Sequence, residues 1–313
     1  MDEATDSEHF AAGINLAGER ATAEIVELLR GSGVEPVVLK GPVTSRWLRP
    51  EPGTRYSTDV DVLVAPGERE AAETALTAAG YERLFLDGAD TAVHADTWVQ
   101  EGAFSVDLHR TVVGARAAAD VVWATLRSAS EPAAIAGVDC LVPAPPARGL
   151  LVALHAAQHG PTDPRMLDDL ELVLDRLTTS EWGTAAALAR SLDASDSLAA
   201  GLALSVRGAA LIGALGLPSP RTTQAVLRAG GAPPTSLGFE RLAQAQGLRS
   251  RVVIVARELV PHPSYMRVWS PLARRGRAGL TAAYVVRPFW LAWWSIPGFR
   301  AWARARRAAR GGG

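Results

Sequence analysis

Cysteine is nearly absent from the sequence, in which Cys140 is the single thiol among 313 residues. One cysteine cannot close a disulfide within the chain, and it cannot supply a cysteine-based zinc site. The first ten residues, MDEATDSEHF, are acidic and lack the basic and apolar regions of a secretory signal peptide. We therefore expect a reducing, cytoplasmic location.

Lysine is nearly absent as well, because Lys40 is the single lysine among 32 basic residues. A compact ammonium serves phosphate oxygens as a point charge, and arginine is not its equivalent. Acidic residues are missing after Glu258, whereas ten arginines follow that position. The formal net charge is nevertheless −1, so composition gives no general argument for binding nucleic acid, and we expect no nucleic-acid partner.

Strand and helix patterns alternate as far as a proline cluster, after which the pattern is helical. The proline cluster consists of Pro143, Pro145 and Pro146. Up to Pro143 we predict strands at 36–39, 56–64, 81–86, 91–99, 103–109 and 138–142, and helices at 10–30, 43–48, 68–79 and 119–127. Beyond it we predict helices at 148–159, 164–177, 184–192, 197–215, 220–229 and 238–259. The pattern therefore predicts an α+β fold, with a mixed-sheet domain at 1–143 and a mainly helical domain at 144–313.

Two aspartates stand two residues apart in the predicted strand 56–64. Side chains two apart share one face of a strand, so Asp59 and Asp61 point the same way. Adjacent carboxylates repel each other unless a cation lies between them. Asp107, in the predicted strand 103–109, adds a third carboxylate if the two strands are neighbours. Three such carboxylates suit Mg²⁺ or Mn²⁺ and the two-metal chemistry of phosphoryl or nucleotidyl transfer.

An ordered set of motifs surrounds these carboxylates. Its members are the turn Leu39-Lys40-Gly41, the strand motif Arg55-x-x-x-Asp59-x-Asp61 and the later strand Val106-Asp107-Leu108-His109. The set resembles the uncharacterised nucleotidyltransferase family of the polymerase-beta-like nucleotidyltransferase superfamily. Three segments of the helical half are also similar to that family: Leu154-His155-Ala156, Asp169-Leu170 and Tyr284-x-x-Arg287-Pro288.

The resemblance implies a metal-dependent nucleotidyltransferase of the EC 2.7.7 type. Such an enzyme moves NMP from an NTP to a hydroxyl or phosphate of a small-molecule, peptide or protein acceptor, here in a biosynthetic pathway. By this resemblance Asp59 and Asp61 ligate two metal ions, Mg²⁺ or Mn²⁺. Asp107 ligates the catalytic ion and takes the proton of the acceptor.

The resemblance also implies the residues that bind the nucleotide. Lys40 neutralises phosphate charge, and Gly41 lets the backbone approach the phosphates. Arg55 and Ser57, which lie just before the paired aspartates, are further candidates for nucleotide contact. The turn Lys40-Gly41-Pro42 departs from the Gly-Ser or Gly-Gly of many enzymes in the superfamily.

Two histidines and one acid are candidates for a cleft that receives the acceptor. His109 shares a strand face with Asp107, and Asp169 lies near the start of a predicted helix. His155 is four residues before His159 in His-Ala-Ala-Gln-His. This segment lacks the glutamate of a zinc-protease helix, which argues against metalloprotease chemistry. A buried, hydrogen-bonded histidine is the alternative for His155.

Two other functions and two roles of the tail remain open. A nucleotide-binding scaffold without catalysis retains the same fold, and a phosphotransferase that moves the γ-phosphoryl group uses similar ligands. The segment Leu280–Phe299 resembles a membrane span but contains Arg287, Pro288 and Pro297. Its tryptophans either pack on the helical domain near the cleft or anchor the protein peripherally on an anionic membrane.

Overall fold

The computed structural model describes residues 3–49, 59–84, 94–218, 222–233 and 235–311. Parts of three predicted strands, at 56–58, 85–86 and 91–93, lie outside these ranges. Helices and a seven-stranded mixed sheet make an α+β fold, which confirms the predicted class. The N-terminal elements are α1 Glu3–Gly31, β1 Val37–Val38, α2 Pro42–Leu48, β2 Asp59–Leu63, α3 Arg69–Ala78, β3 Glu82–Arg83, β4 Ala95–Val99, β5 Ser105–His109, α4 Ala119–Ser128, β6 Ser130–Ile135 and β7 Val138–Pro143.

The sheet has the strand order β3-β4-β5-β2-β1-β7-β6. Strand β2 lies between β5, to which it is parallel, and β1, to which it is antiparallel. Apolar side chains of the sheet fall into two clusters. One cluster joins the sheet to α1 and α3, and the other joins it to α2, α4 and the helical half. Helices therefore cover both faces of the central strands. The polar residues of these strands form a single cluster within the sheet.

Strand β6 is an addition to the predicted strands. The segment Ser130–Ile135 contains Glu131 and Pro132, and a proline argues against a central strand because it has no N–H to donate. Among the described residues β6 pairs with β7 alone and lies at the edge of the sheet. An edge position tolerates the missing donor, which explains why the strand forms despite its sequence.

The helical half begins directly after β7. Its helices are α5 Pro145–His159, α6 Pro164–Arg176, α7 Thr179–Ser191, α8 Ser195–Leu202, α9 Val206–Ala214, α10 Thr223–Ala229, α11 Ser236–Gln244, α12 Gly247–Leu259, α13 Pro263–Trp269 and α14 Gly276–Gly311. One apolar cluster contains residues from both sides of the proline cluster, including Leu48, Leu63, Leu150 and Leu170. The predicted boundary between residues 143 and 144 stays a prediction.

Two long predicted helices are each divided in the structure. The predicted helix 197–215 is wrong in this respect, because Ser205 caps a new helix by accepting a hydrogen bond from the backbone N–H of Gly208. The predicted helix 238–259 is interrupted before Gly247, whose φ of 81° lies outside the helical range. Hydrophobic spacing continues across both breaks, so spacing alone does not reveal them.

The C-terminal helix α14 runs through Pro288 and Pro297. Its aromatic residues divide between two environments. Trp290 packs edge-to-face against Trp269 with ring centroids 5.5 Å apart, and the Trp302 indole N–H donates to Glu240 at 2.7 Å. Trp293, in contrast, is 78% exposed. In the described ranges, no helix combines the length and hydropathy needed to cross a bilayer.

The contact between α5 and α8 supplies the first test of the fold. A Cβ added at Gly201 would collide with the backbone carbonyl of Ala153, which cannot move without shifting α5. We expect Gly201→Ala to lower the free energy of unfolding by about 1–3 kcal/mol in urea titrations, as overpacking does. Gly213→Ala in α9 is the matched control, since no atom of the described residues lies within 4 Å of an added Cβ there and alanine favours a helix by about 1 kcal/mol. Equal behaviour of the two variants would contradict the close packing of α5 on α8.

Candidate active site

The pairing of β2 with β5 brings two aspartates side by side. In this parallel register Asp61 lies opposite Asp107, and Leu63 lies opposite His109. The antiparallel strand β4 places Thr97 opposite Asp107 on the other side. The Thr97 hydroxyl donates a 2.7 Å hydrogen bond to Asp107 Oδ1. These three strands therefore hold one polar cluster at the centre of the sheet.

Asp61 is the fully buried member of this cluster. Its Oδ1 lies 2.9 Å from His109 Nε2 and 3.1 Å from Lys40 Nζ. Burial alone would raise the pKa of Asp61, but the hydrogen bond from His109 and the charge of Lys40 outweigh it and hold the pKa below its usual value. The carboxyl group is therefore ionised in spite of its burial.

Lys40 is the cation that faces the aspartates. Its ammonium lies 3.1 Å from Asp61 Oδ1 and 3.9 Å from Asp59 Oδ2. Burial opposes the charged form, but Asp61 and Asp59 outweigh burial and raise the pKa of Lys40. Gly41 follows with a φ of 98°, in a region that favours glycine, and the chain then enters α2. The turn thus directs Lys40 back over β2.

The pKa of Asp107 is shifted in the opposite direction from the pKa of Asp61. Burial of its carboxyl group raises the pKa, and the charges of Asp61 and Asp59 raise it further, while the bond from Thr97 opposes the shift. Asp107 therefore binds a proton more strongly than a carboxyl group in water does. Two carboxyl groups in one cluster consequently differ in their affinity for a proton.

The residues of this cluster fit a divalent metal ion. Ligand atoms of Asp61, Asp107 and His109 all lie within 4.8 Å of one another. Asp61 Oδ2 is buried and has no hydrogen-bond partner in the described part of the chain. An ionised oxygen without a partner is unfavourable unless a cation approaches it. Asp59 is not part of this group of three, but it contacts Lys40 and lines a cleft beside the cluster.

A cleft of about 250 Å³ opens beside the polar cluster. One wall is the turn at Lys40 and Gly41 with the start of α2, and the opposite wall is α5. His155 lines the cleft from α5, and its ring centroid lies 4.5 Å from that of His159. Asp169 also lines the cleft but pairs with Arg49 at 2.5 Å, so it connects α6 to the end of α2.

A second cavity of about 410 Å³ adjoins the first, and His94, Val112 and Val113 line both. Its walls are the loop after β5 and the helices α5, α8, α10 and α11. The side-chain oxygens Gln158 Oε1 and Thr111 Oγ1 belong to lining residues and are buried without a hydrogen-bond partner among the described residues. The two cavities therefore share part of their walls, and Asp59 lines the first of them.

The structure thus gathers most of the residues predicted from the sequence around one cleft. Lys40, Gly41, Asp59, His109, His155 and Asp169 line it. Asp61 and Asp107 are not part of the lining, but Asp61 contacts the lining residues Lys40 and His109 and lies opposite Asp107. Arg55 and Ser57 lie outside the described residues.

Three residues near the site are not predicted from the sequence. Thr97 bonds Asp107, and His94 lies beside His109 with ring centroids 5.3 Å apart. Arg148, 6% exposed, lines the cleft and pairs with Glu131 at 2.7 Å. Helical spacing is a signal for Arg148, because it lies seven residues, or two turns, before His155. Thr97 and His94 carry no comparable signal, since their positions depend on the register of the β4–β5 hairpin.

A family model matches most of the chain. The model of the uncharacterised nucleotidyltransferase family matches residues 4–207, more than half of the chain. A solution structure of the antibiotic-resistance factor ANT(2'')-Ia is 14% identical, with a TM-score of 0.40 over 55% of this chain and 93% of that chain. No curated protein sequence matches the chain. The extent of the family match shows that this chain belongs to the uncharacterised nucleotidyltransferase family.

Proposed function

We propose that this chain transfers a nucleotidyl group from an NTP to a hydroxyl or phosphate of a small-molecule, peptide or protein acceptor in a biosynthetic pathway. The observation that carries the proposal is the pair Asp61 and Asp107, opposite each other with Asp61 Oδ2 unpartnered in the described residues. Family membership supports a transferase of this general class.

Asp61 and Asp107 would hold a divalent metal ion, with Asp59 as a further ligand at the rim. Carboxylate oxygens suit Mg²⁺ or Mn²⁺. When bound, the metal neutralises phosphate charge and lowers the pKa of an attacking hydroxyl. His109 holds Asp61 in place through its 2.9 Å contact, as residues around metal ligands commonly do.

The residues that line the cleft have separate roles in this proposal. Lys40 and Arg148 present positive charge to the NTP phosphates, while Gly41 leaves space for them beside the turn. Asp107, which lies opposite Asp61 on the neighbouring strand, accepts the proton of the acceptor. Arg55 and Ser57 remain candidates for nucleotide contact on the grounds of the family motif.

The second cavity is the proposed place of the acceptor. It shares His94 and Val112 with the cleft that Asp59 lines, so an acceptor there would lie next to the reacting phosphate. Its lining contains the amides of Gln158, Gln224 and Gln244. Amide groups donate and accept hydrogen bonds, which suits an acceptor rich in hydroxyl or amide groups. His155, which lines the first cleft from α5, is a further candidate contact.

Two alternatives share this geometry. Transfer of the γ-phosphoryl group uses the same type of metal ligands, and a scaffold that binds nucleotide without turnover keeps the same cleft. The complete set of carboxylates favours an enzyme over a scaffold. The single cysteine supports a cytoplasmic location.

The test uses NTPs labelled at either the α- or the γ-phosphate. The protein is incubated with Mg²⁺ or Mn²⁺, each NTP and a fraction of cellular small molecules and peptides. Transfer of the α-label with release of pyrophosphate supports the proposal, and transfer of the γ-label alone shows a phosphotransferase. Nucleotide binding without transfer of either label indicates a scaffold. The double variant Asp59→Ala, Asp61→Ala is the control and should transfer no label while its helical half stays folded.

A further inference from the structure

Helix α14 exposes an apolar stripe to solvent. The stripe consists of Val285, Val286, Phe289, Trp293 and Ile296, which share one helical face by their spacing. Phe289 is 72% exposed and Trp293 78% exposed. The opposite face of the helix is buried, with Arg287 only 2% exposed and bonded to Glu258. Helix α14 therefore already packs on the protein, and the α14 stripe lies outside that contact.

Positive charge continues along the same face. Arg300, Arg304 and Arg307 are exposed, and they follow Ile296 at intervals of three or four residues. The segment before α14 adds the exposed Arg267, Arg274 and Arg275, and the first turn of α14 adds the exposed Arg277. No acidic residue occurs in the sequence after Glu258. The α14 stripe is thus bordered at both ends by cations that have no acidic neighbour on their own helix.

A second copy of the chain does not complement this surface. If two α14 stripes packed against each other, parallel or antiparallel, arginines would face arginines, because the helix has no acidic residue to pair with them. Nucleic acid matches the charge but leaves Phe289, Trp293 and Ile296 without an apolar environment. An anionic lipid surface matches both the positive charge and the apolar stripe, because its headgroups attract arginine and its acyl boundary receives the apolar side chains.

The dimensions suit a helix that lies in the membrane surface. The apolar part from Val285 to Ile296 is about 17 Å long at 1.5 Å per residue, which is shorter than the hydrocarbon core of a bilayer. Tryptophan favours the interface, and arginine side chains extend towards the headgroups. Helix α12, which packs on α14, exposes a second set of apolar residues: Leu248, Val252, Val255 and Leu259.

We propose that the α14 stripe binds the surface of an anionic membrane. The stripe lies beyond residues 4–207, the part that matches the family model, so the proposal is independent of nucleotidyl transfer. Binding to a membrane surface would hold the helical half, and with it the second cavity, next to lipids and to substances carried at the lipid interface. The interaction is peripheral and reversible, because one short amphipathic helix gives only moderate affinity.

Flotation of the full chain with vesicles tests the proposal. Vesicles of phosphatidylcholine alone are compared with vesicles that also contain phosphatidylglycerol. We expect the protein to float with the anionic vesicles and to be released by high salt, because exposed charges are screened. Phe289→Glu with Trp293→Glu should lower the bound fraction at least tenfold. Replacing Arg300, Arg304 and Arg307 by glutamine should weaken binding about fivefold for each charge.

The matched control is Val206→Glu, which makes the same kind of change on α9 at a residue that is 91% exposed. It should bind anionic vesicles as the unaltered protein does, and circular dichroism should show that all variants are folded. Absence of binding to anionic vesicles would overturn the proposal, as would equal binding to neutral vesicles. A dimer in light scattering that Phe289→Glu with Trp293→Glu dissociates would assign the stripe to a second copy instead.

Discussion

Replacement of Asp107 by asparagine should lower nucleotidyl transfer about 10³-fold while leaving the fold at least as stable at pH 7. Activity is lost because asparagine is neutral, so it cannot take the acceptor's proton or offset the charge of the metal. A rise of several kcal/mol in the activation barrier lowers the rate by about three orders of magnitude. Thr97 can still donate its hydrogen bond to the amide oxygen, so the local geometry is kept.

The effect on stability follows from the raised pKa of Asp107. Burial and the neighbouring charge of Asp61 raise the pKa in the folded state above its ordinary value of 3.8. The stabilisation from the bound proton is present below that ordinary value and is lost as the pH rises through the folded pKa. At pH 7 the ionised carboxylate therefore opposes folding, and asparagine removes this opposition.

Thermal unfolding in the presence of EDTA measures this effect. The melting temperature of Asp107→Asn should equal or exceed that of the unaltered protein at pH 7, and the difference should shrink as the pH falls towards 4. Asp139→Asn is the matched control, because Asp139 is exposed on β7 of the same sheet and should change neither activity nor melting temperature. Full activity of Asp107→Asn would remove this residue from the proposed chemistry.

Replacement of Lys40 by methionine should make the stability of the protein depend on metal. Methionine keeps the approximate length of the side chain but leaves Asp61, which is fully buried, without its cation. Removal of one partner of a fully buried pair costs about 3–5 kcal/mol. The Lys40 side chain is 37% exposed, so solvent screening reduces the expected loss to about 2 kcal/mol.

Urea titrations with and without Mg²⁺ measure this loss. The metal-free variant should lose the 2 kcal/mol noted above, and Mg²⁺ should restore more stability to the variant than to the unaltered protein, because it supplies the missing positive charge. Lys40→Arg is the charge-preserving control and should retain metal-free stability. If Lys40→Met and the unaltered protein respond equally to Mg²⁺, the ion does not bind beside Asp61.

The sequence predicts the aspartates on the strands of the site better than it predicts the other residues around them. Alternation along the strand placed Asp59 and Asp61 on one face, and the family motif pointed to Asp107. The pairing partner of β2 was not predictable from alternation, because it depends on the whole strand order. Thr97 shows the same limit, since only the register of β4 on β5 places it beside Asp107.

Errors in the predicted elements have local physical causes. Pro132 concealed strand β6, which forms because an edge strand does not need every backbone donor. The cap at Ser205 and the positive φ of Gly247 divided helices that hydrophobic spacing alone extends. These features depend on hydrogen bonds and dihedral angles, which a pattern of apolar residues does not encode.

The parallel register of β2 and β5 also limits how relatives of this chain can vary in length. A one-residue insertion within either strand would turn every later side chain of that strand to the opposite face. Asp107 would then exchange places with a neighbour such as Val106, which lies in the apolar layer beneath α1 and α3. We therefore expect changes of length to be tolerated better in the loops than within either strand.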